Sequence, residues 1–197
     1  LLEMQGNETV TAFVPVRNFD NAHYLMMSTK KGTAKKTELM AYSNPRKNGI
    51  VAITLENDDE LINVELTDGN QQIILATKNG NAVRFEEENV RPTGRSAQGV
   101  KGISLKDNDE VIGMVVASDE KTLLSVTENG YGKRTPISEY RLINRGGSGV
   151  INIQCSERNG NVVAICSLTD NDDVIFISKN GIIIRVPSSD ISVIGRN

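Results

Sequence analysis

A short pattern recurs about every fifty residues along this chain, and a fixed period of that length means a stacked or circular array of one supersecondary unit. In each copy a glycine is followed four places later by a lysine or arginine. Ser28-Thr29-Lys30-Lys31-Gly32 leads to Lys36, and Ala76-Thr77-Lys78-Asn79-Gly80 to Arg84. Val126-Thr127-Glu128-Asn129-Gly130 leads to Arg134, and Ile177-Ser178-Lys179-Asn180-Gly181 to Arg185. A second landmark keeps the same beat: Arg46 before Gly49, Arg95 before Gly99, Arg145 before Gly149, and a last Arg196. An array repeats whatever these cations do, at regular spacing along its length.

Each copy resolves into four short apolar runs rich in Val, Ile and Thr and bounded by turn residues, which is the pattern of strands. The runs are 25–29, 33–37, 50–55 and 61–67 in one copy, then 73–77, 82–85, 100–105 and 111–117, then 123–127, 131–135, 150–155 and 162–168. Residues 10–16 read as the last strand of an earlier copy, and 174–178 with 182–186 open a further one. Asn79-Gly80, Asn129-Gly130 and Asn180-Gly181 predict two-residue hairpin turns with both central positions at positive φ. An acidic turn recurs at 57–59 and 107–109, with 157–160 in its place in the third copy. The longest connections, near 38–48, 86–98 and 136–148, hold Pro45, Pro92, Pro136 and the recurrent arginines; a short helix is expected near 86–91.

Four strands per repeat is the signature of a propeller blade. The expected fold is all-β: a β-pinwheel or propeller-like array about four blades long. The blades fall at about 25–72, 73–122 and 123–173, with partial blades at 1–24 and 174–197. A parallel β-helix is the alternative, but its rungs are shorter and are not joined by Asn-Gly hairpins. Trp is absent and only 4% of the 197 residues are aromatic, so aliphatic side chains must build the core. No run approaches the ~18–20 apolar residues of a helical membrane span. Leu1 to Gln5 lack a leader's basic start and apolar run, and the missing initiator Met with the end inside a repeat reads as a piece of a longer protein. Cys155 and Cys166 sit at no metal-ligand spacing and read as reduced core thiols.

The net charge of −3 argues against a nucleic-acid partner, but the charges are segregated. Lys30, Lys31, Lys35, Lys36, Arg46 and Lys47 face only Glu38 within their stretch, whereas Glu56, Asp58, Asp59, Glu60, Glu65 and Asp68 follow with no base among them. Stacked repeats would place basic loops on one surface and acidic turns on another. The candidate polyanion contacts are Lys35, Lys36, Arg46, Lys47, Arg84, Arg91, Arg95, Lys101, Lys133, Arg134, Arg145, Arg185 and Arg196, with Arg141 among the loop arginines. The bland alternative is a solvated face that keeps sheet edges from pairing. A curved rim of such charges could follow bent duplex DNA, whose bending costs ~1–6 kcal/mol over ~20–30 bp and must be offset by several phosphate contacts. Gly146-Gly147 beside Arg145 could cradle a phosphate with backbone N–H groups, or could simply bend the chain into a strand.

Catalysis finds little support. His23 is the only histidine, and no Gly-x-Ser-x-Gly elbow accompanies it. Asp107-Asn108-Asp109 and Asp170-Asn171-Asp172 start like calcium loops, but Val111 and Val174 stand where an oxygen ligand is needed. Gly130-Tyr131-Gly132 lacks the lysine and following helix of a nucleotide loop.

Several segments together resemble one family, the carboxy-terminal domain of the gyrase A protein of bacterial DNA gyrase, a type IIA topoisomerase. They are Glu128-Asn129-Gly130-Tyr131-Gly132-Lys133-Arg134-Thr135 with Ser138-Glu139-Tyr140, Glu157-Arg158-Asn159-Gly160-Asn161-Val162-Val163, and Asn79-Gly80 through Val83-Arg84-Phe85. Gly99-Val100-Lys101-Gly102-Ile103 and the terminal Ile191 to Asn197 add to the match, which runs along the whole chain and favours gyrase over topoisomerase IV. The resemblance implies a β-pinwheel whose neighbouring blades exchange strands and whose basic rim carries double-stranded DNA. It implies a parent that introduces negative supercoils with ATP, as an A2B2 heterotetramer of gyrase A and gyrase B in the bacterial cytoplasm at the nucleoid. The ATP and Mg sites and the cleaving tyrosine belong to other parts of that parent, so no cofactor is expected here and none of Tyr24, Tyr42, Tyr131 or Tyr140 is expected to cleave DNA. The family's Gln-Arg-Arg-Gly-Gly-Lys-Gly box is missing; Asn144 to Gly149 is its nearest echo. That departure predicts DNA binding with poor wrapping. A protein-binding propeller scaffold without DNA affinity, and a hydrolase using His23, are the competing expectations.

Overall fold

In the computed structural model, residues 4, 6 and 8–196 are described; Leu1 to Glu3, Gln5, Asn7 and Asn197 lie outside them, as do the readings placed on those positions. Thirteen strands form: β1 (Tyr24–Thr29), β2 (Thr33–Glu38), β3 (Leu61–Thr67), β4 (Gln72–Thr77), β5 (Asn81–Glu86), β6 (Val100–Lys101), β7 (Val111–Ala117), β8 (Thr122–Thr127), β9 (Gly132–Pro136), β10 (Val150–Ile151), β11 (Val162–Leu168), β12 (Asp173–Ile177) and β13 (Ile183–Pro187). The only helical pieces among the described residues are single 3₁₀ turns at Leu39–Tyr42, Glu87–Asn89, Ile137–Glu139 and Ser188–Asp190. No helix among them is long and apolar enough to cross a membrane.

The sheets run β3-β1-β2-β6, β10-β5-β4-β7, β11-β8-β9 and β12-β13. In the first two, each hairpin thus pairs on one side with the last strand of its own repeat and on the other with a strand lent by the next repeat. Lys101 and Val100 pair with Thr33 and Ala34, and Val150 and Ile151 with Ala82 and Asn81. This is strand exchange between blades. Before arriving there, the long connection runs briefly parallel to the hairpin, with bridges at Lys36–Pro92, Arg84–Leu142 and Arg134–Val193. The last strands β3, β7 and β11 touch one another in turn, so the blades converge at that edge, opposite the edge that receives the lent strands.

The core lies between blades. Alternate side chains of β4 face opposite ways. Ile73 and Leu75 pack with Met26, Phe85 and Met114, while Ile74 and Ala76 pack with Val115, Leu123 and Tyr140. A sheet covered on both faces reads as a continuous apolar run, which is what Gln72–Thr77 shows. The hairpin β12–β13 has no such cover: Ile175, Ile177, Ile182 and Ile183 are 61–68% exposed.

Three expectations need correction. Residues 10–16 and 50–55 are extended but form no strand. The second of these is the counterpart of β6 and β10, and no hairpin precedes it among the described residues to receive it. The hairpin turns are not of the two-residue kind: Asn79, Asn129 and Asn180 do not have positive φ, and only the glycines do. Gly80 donates to the Thr77 carbonyl at 3.0 Å and sits at φ +83°, a four-residue turn closed by a left-handed glycine. Ala76 pairs with Ala82, so the loop between Thr77 and Asn81 has three residues, a turn ending in a left-handed glycine bulge. Cys166 is exposed, with no further last strand packed over β11 among the described residues; Cys155 is half-buried, and both are free.

Candidate nucleic-acid interface

The recurrent cation four places after the turn glycine does not line a solvent face in the first three copies. It points inward and clasps the 3₁₀ turn of the next blade. Lys36 Nζ donates to Glu87 O at 3.1 Å and lies 5.1 Å from the Tyr24 ring centroid. Arg84 is 6% exposed; its Nη1 donates to Ile137 O at 2.9 Å and Tyr140 O at 3.2 Å. Its other nitrogens reach Gln72 and, at 2.7 Å, Asp119. Arg134 is 3% exposed and donates to Ile191 O at 3.1 Å and Asp170 at 2.7 Å. The fixed fork of a guanidinium suits several carbonyls presented at once by a tight turn. No further blade stands against Arg185 among the described residues; it is exposed and pairs with Asp173.

Lys35 and Lys133 are buried as well. Lys35 donates to Ala52 O at 2.6 Å and Arg95 O at 2.5 Å, and Lys133 to Gly195 O. Burial, with help from the Arg95 guanidinium, pulls the Lys35 ammonium down to about 8. Burial also lowers Lys36 and Lys133, against which nearby glutamates act. So five of the thirteen candidate residues, Lys35, Lys36, Arg84, Lys133 and Arg134, are buried between blades rather than on a rim. The sequence pattern alone could not reveal this, since position in a repeat does not say which way a side chain points on a strand that receives another blade's strand.

The second landmark is also periodic in space. Arg95, Arg145 and Arg196 donate to the carbonyls of Val51, Lys101 and Ile151 at 2.9, 3.0 and 3.2 Å, tying each long loop to the preceding lent segment. Arg145 Nε adds Asn89 O at 2.7 Å. All three arginines remain half-buried, with N–H groups left over. Gly146-Gly147 is not an open cradle: Gly146 N–H bonds Gly102 O, and the two glycine carbonyls take Ser104.

Arg46, Lys47, Arg91 and Lys101 are exposed, as is Arg141. Lys101 lies on the lent strand β6 itself, and Arg91 and Arg141 each precede by one residue the bridge that brings the loop to the hairpin. Lys101, Arg91 and Arg141 therefore sit toward the edge of the lent strands, the outer edge of the array. The acidic turns lie at the hairpin tips instead. Asp59 and Asp109 accept the backbone N–H of Lys31 and Asn79 at 2.9 Å. Lys30 bridges Glu60 and Glu110, and Lys78 meets Glu110 at 3.3 Å, so the tips carry a cross-blade ladder of alternating sign. Those carboxylates hold the Lys30 ammonium above its ordinary range.

Nothing at His23 builds a hydrolytic site. Its Nδ1 faces Asp20 at 2.8 Å, and the Asp20 carboxylate is lowered chiefly by that bond. No group of His, Cys, Asp or Glu that could hold a metal occurs among the described residues.

Comparison with known proteins agrees with this geometry. A family model described as DNA gyrase C-terminal domain, beta-propeller, matches four times, at residues 23–68, 71–118, 121–166 and 172–197. The DNA gyrase A protein of Halalkalibacterium halodurans is 53% identical over 196 residues, that of Clostridium acetobutylicum 46% and that of Salmonella typhimurium 44%, the last two over 197. Each match covers the whole chain, and the chain spans 22–24% of these relatives' length. Among solved structures, a C-terminal domain of DNA topoisomerase IV superposes with a TM-score of 0.91 at 28% identity, covering 98% of this chain and 61% of that one. A DNA gyrase A C-terminal domain gives 0.84 at 27%, covering 92% and 61%.

Proposed function

The chain belongs to the DNA gyrase A carboxy-terminal domain family, and from that premise we propose that it binds the phosphate backbone of double-stranded DNA along its outer edge. The observation that carries this reading is the division of labour among the cations. One set is consumed holding blade to blade, while Arg46, Lys47, Arg91, Lys101 and Arg185 stay exposed, and of these Arg185 alone forms an ion pair among the described residues. Arg95, Arg145 and Arg196 contribute the N–H groups their carbonyl bonds leave over. The buried Lys35, Lys36, Arg84, Lys133 and Arg134 serve by fixing the curvature on which the exposed set is carried.

Phosphate contacts position a duplex without reading its sequence, and no helix among the described residues is long enough to enter a major groove, so the binding is sequence-tolerant. In the longer protein, the domain supports ATP-dependent negative supercoiling by a complex of gyrase A and gyrase B, with cleavage and ATP hydrolysis on other segments. Without the basic box, this chain wraps DNA weakly compared with how it binds; full wrapping in a circle-ligation assay would contradict that part.

Titration of a fluorescent duplex at several salt concentrations tests the reading. The logarithm of the binding constant should fall linearly with the logarithm of salt, by ~0.9 per phosphate neutralised. Reversing Arg91 and Lys101 to Glu should flatten that line. Absence of duplex affinity at low salt would leave a protein-binding scaffold as the better account.

A further inference from the structure

The blades are not equivalent toward phosphate, because the groove beside each lent strand carries a different charge. Beside β10 lies an open groove lined by Asn81, Lys106, Arg141, Ser148, Gly149 and Arg196. Its walls contain three cations and no carboxylate; Glu139 stands nearby, where it accepts the Arg196 backbone N–H. Lys106 and Arg141 are exposed, and neither side chain has a hydrogen bond or ion pair among the described residues. The Arg196 guanidinium is anchored at one nitrogen by Ile151 O, which aims it while leaving other donors free.

One repeat earlier the corresponding groove runs beside β6, lined by Lys31, Thr33, Glu56, Asp59, Gln98 and Lys101 among others. There Glu56 stands where Lys106 stands, Asp59 is turned onto the Lys31 backbone, and Lys31 Nζ is engaged by Asn57 O. Two carboxylates thus share this groove with two ammonium groups, whereas the β10 groove has no carboxylate in its lining, and Arg91 and Arg145, the counterparts of Arg141 and Arg196, do not line it.

We infer that the groove formed by Lys106, Arg141 and Arg196 beside β10 is a discrete phosphodiester-binding site for duplex DNA, and that it holds phosphate more strongly than its counterpart beside β6. The inference rests on the DNA-binding reading above and assigns it a place. Three cations, none of them in an ion pair among the described residues, line a groove open enough for a backbone phosphate, and the site lies on the edge of the lent strands, away from the acidic hairpin tips. Lys106 had no claim from the repeat pattern, since its counterparts are Glu56 in the copy before and the uncharged Ser156 in the copy after.

The test compares salt-dependent duplex binding by the 197-residue chain, the double variant K106E/R141E, the neutral double variant K106Q/R141Q, and K31E in the other groove. Every change falls at an exposed position, and circular dichroism confirms that each variant folds. The neutral variant should bind at least ~10-fold more weakly at low salt and show a slope smaller by about 2, two phosphate contacts at ~0.9 each. The reversal variant should lose more, and K31E should change affinity less than about 2-fold. Inorganic phosphate at millimolar concentration should not displace the duplex, which separates a site for polymer backbone from one for the free anion. If the wild-type chain binds duplex with a steep salt slope while K106Q/R141Q keeps that slope, or if K31E loses as much, the site assignment is overturned and the broader function stands. If the wild-type chain does not bind at low salt, both fall together.

Discussion

The arginine four places after each turn glycine shows how a residue can be conspicuous for one reason and act for another. Arg84 and Arg134 repeat because each blade presents the same carbonyls to be clasped. Their ion pairs with Asp119 and Asp170 are the lesser part, since those carboxylates are 65% and 79% exposed. Exposed partners of that kind contribute ~0–1 kcal/mol. Arg84→Ala should therefore destabilise the chain by about 3 kcal/mol or more, because the carbonyls of Ile137 and Tyr140 lose their donor inside the protein. Asp119→Asn should cost under about 1 kcal/mol. Urea unfolding of the two variants decides it; equal losses would mean that the ion pair, not the clasp, is what matters. Lys35 adds a pH dependence. Its folded value near 8 lies below the unfolded one, so folding disfavours the charged form. Below about pH 8 the ammonium is charged in both states and the penalty is constant. Between there and the ordinary lysine range only the unfolded chain keeps the proton, so stability rises with pH. The difference in unfolding free energy between wild type and Lys35→Met, measured from about pH 7 to 9.5, should grow in favour of wild type. A flat difference would show that the carbonyls of Ala52 and Arg95 hold the ammonium charged.

At the scale of elements, the hairpins were legible and the lent strands were only half so. Thr77-Lys78-Asn79-Gly80 and its counterparts announce a turn by local chemistry alone, although its type depends on a bulge that no dipeptide encodes. A run such as 50–55 is as apolar as its counterparts, yet it becomes a strand only if another blade's hairpin is there to receive it. Propensity cannot supply a pairing partner. The clasping direction of Arg84 was hidden for a related reason: strand exchange turns an apparent edge residue toward the neighbouring blade. The glycines at the entry to the lent strands isolate the value of the exchange. Gly49 and Gly149 share nearly the same backbone, φ +75° and +74°. A Cβ at Gly49 would meet nothing within 4 Å, whereas at Gly149 it would lie 2.2 Å from Ala82 O. Gly49→Ala should cost only the left-handed conformation, about 1–2 kcal/mol. Gly149→Ala must in addition push β10 off β5, and should cost clearly more in the same denaturation assay. Similar losses would show that the lent strand contributes little to holding the blades together.

The whole molecule is an array in which each blade's core is completed by its neighbour, so stability is distributed as a sum of blade and interface contributions. That distribution is visible in the burial along equivalent strands. β4 is buried on both faces, β8 nearly so, and β12, the same element one repeat on, is exposed or half-exposed throughout. Sequence cannot distinguish them, because Val174-Ile175-Phe176-Ile177 is as apolar as Ile73-Ile74-Leu75-Ala76; only position in the array does. Amide exchange follows the free energy of the opening that exposes each hydrogen bond, from near zero at frayed elements to the global value in the core. Protection measured by mass spectrometry should therefore be greatest in β4 and β5 and least in β12 and β13. Duplex DNA contacting several blades would tie their openings together, and adding it at low salt should slow exchange in the β10 region and its flanking loops more than in β12–β13. Uniform protection along the chain would mean that the terminal hairpin is covered in solution, through association of its apolar face, and a rise in apparent mass with concentration would identify that cover as a second copy.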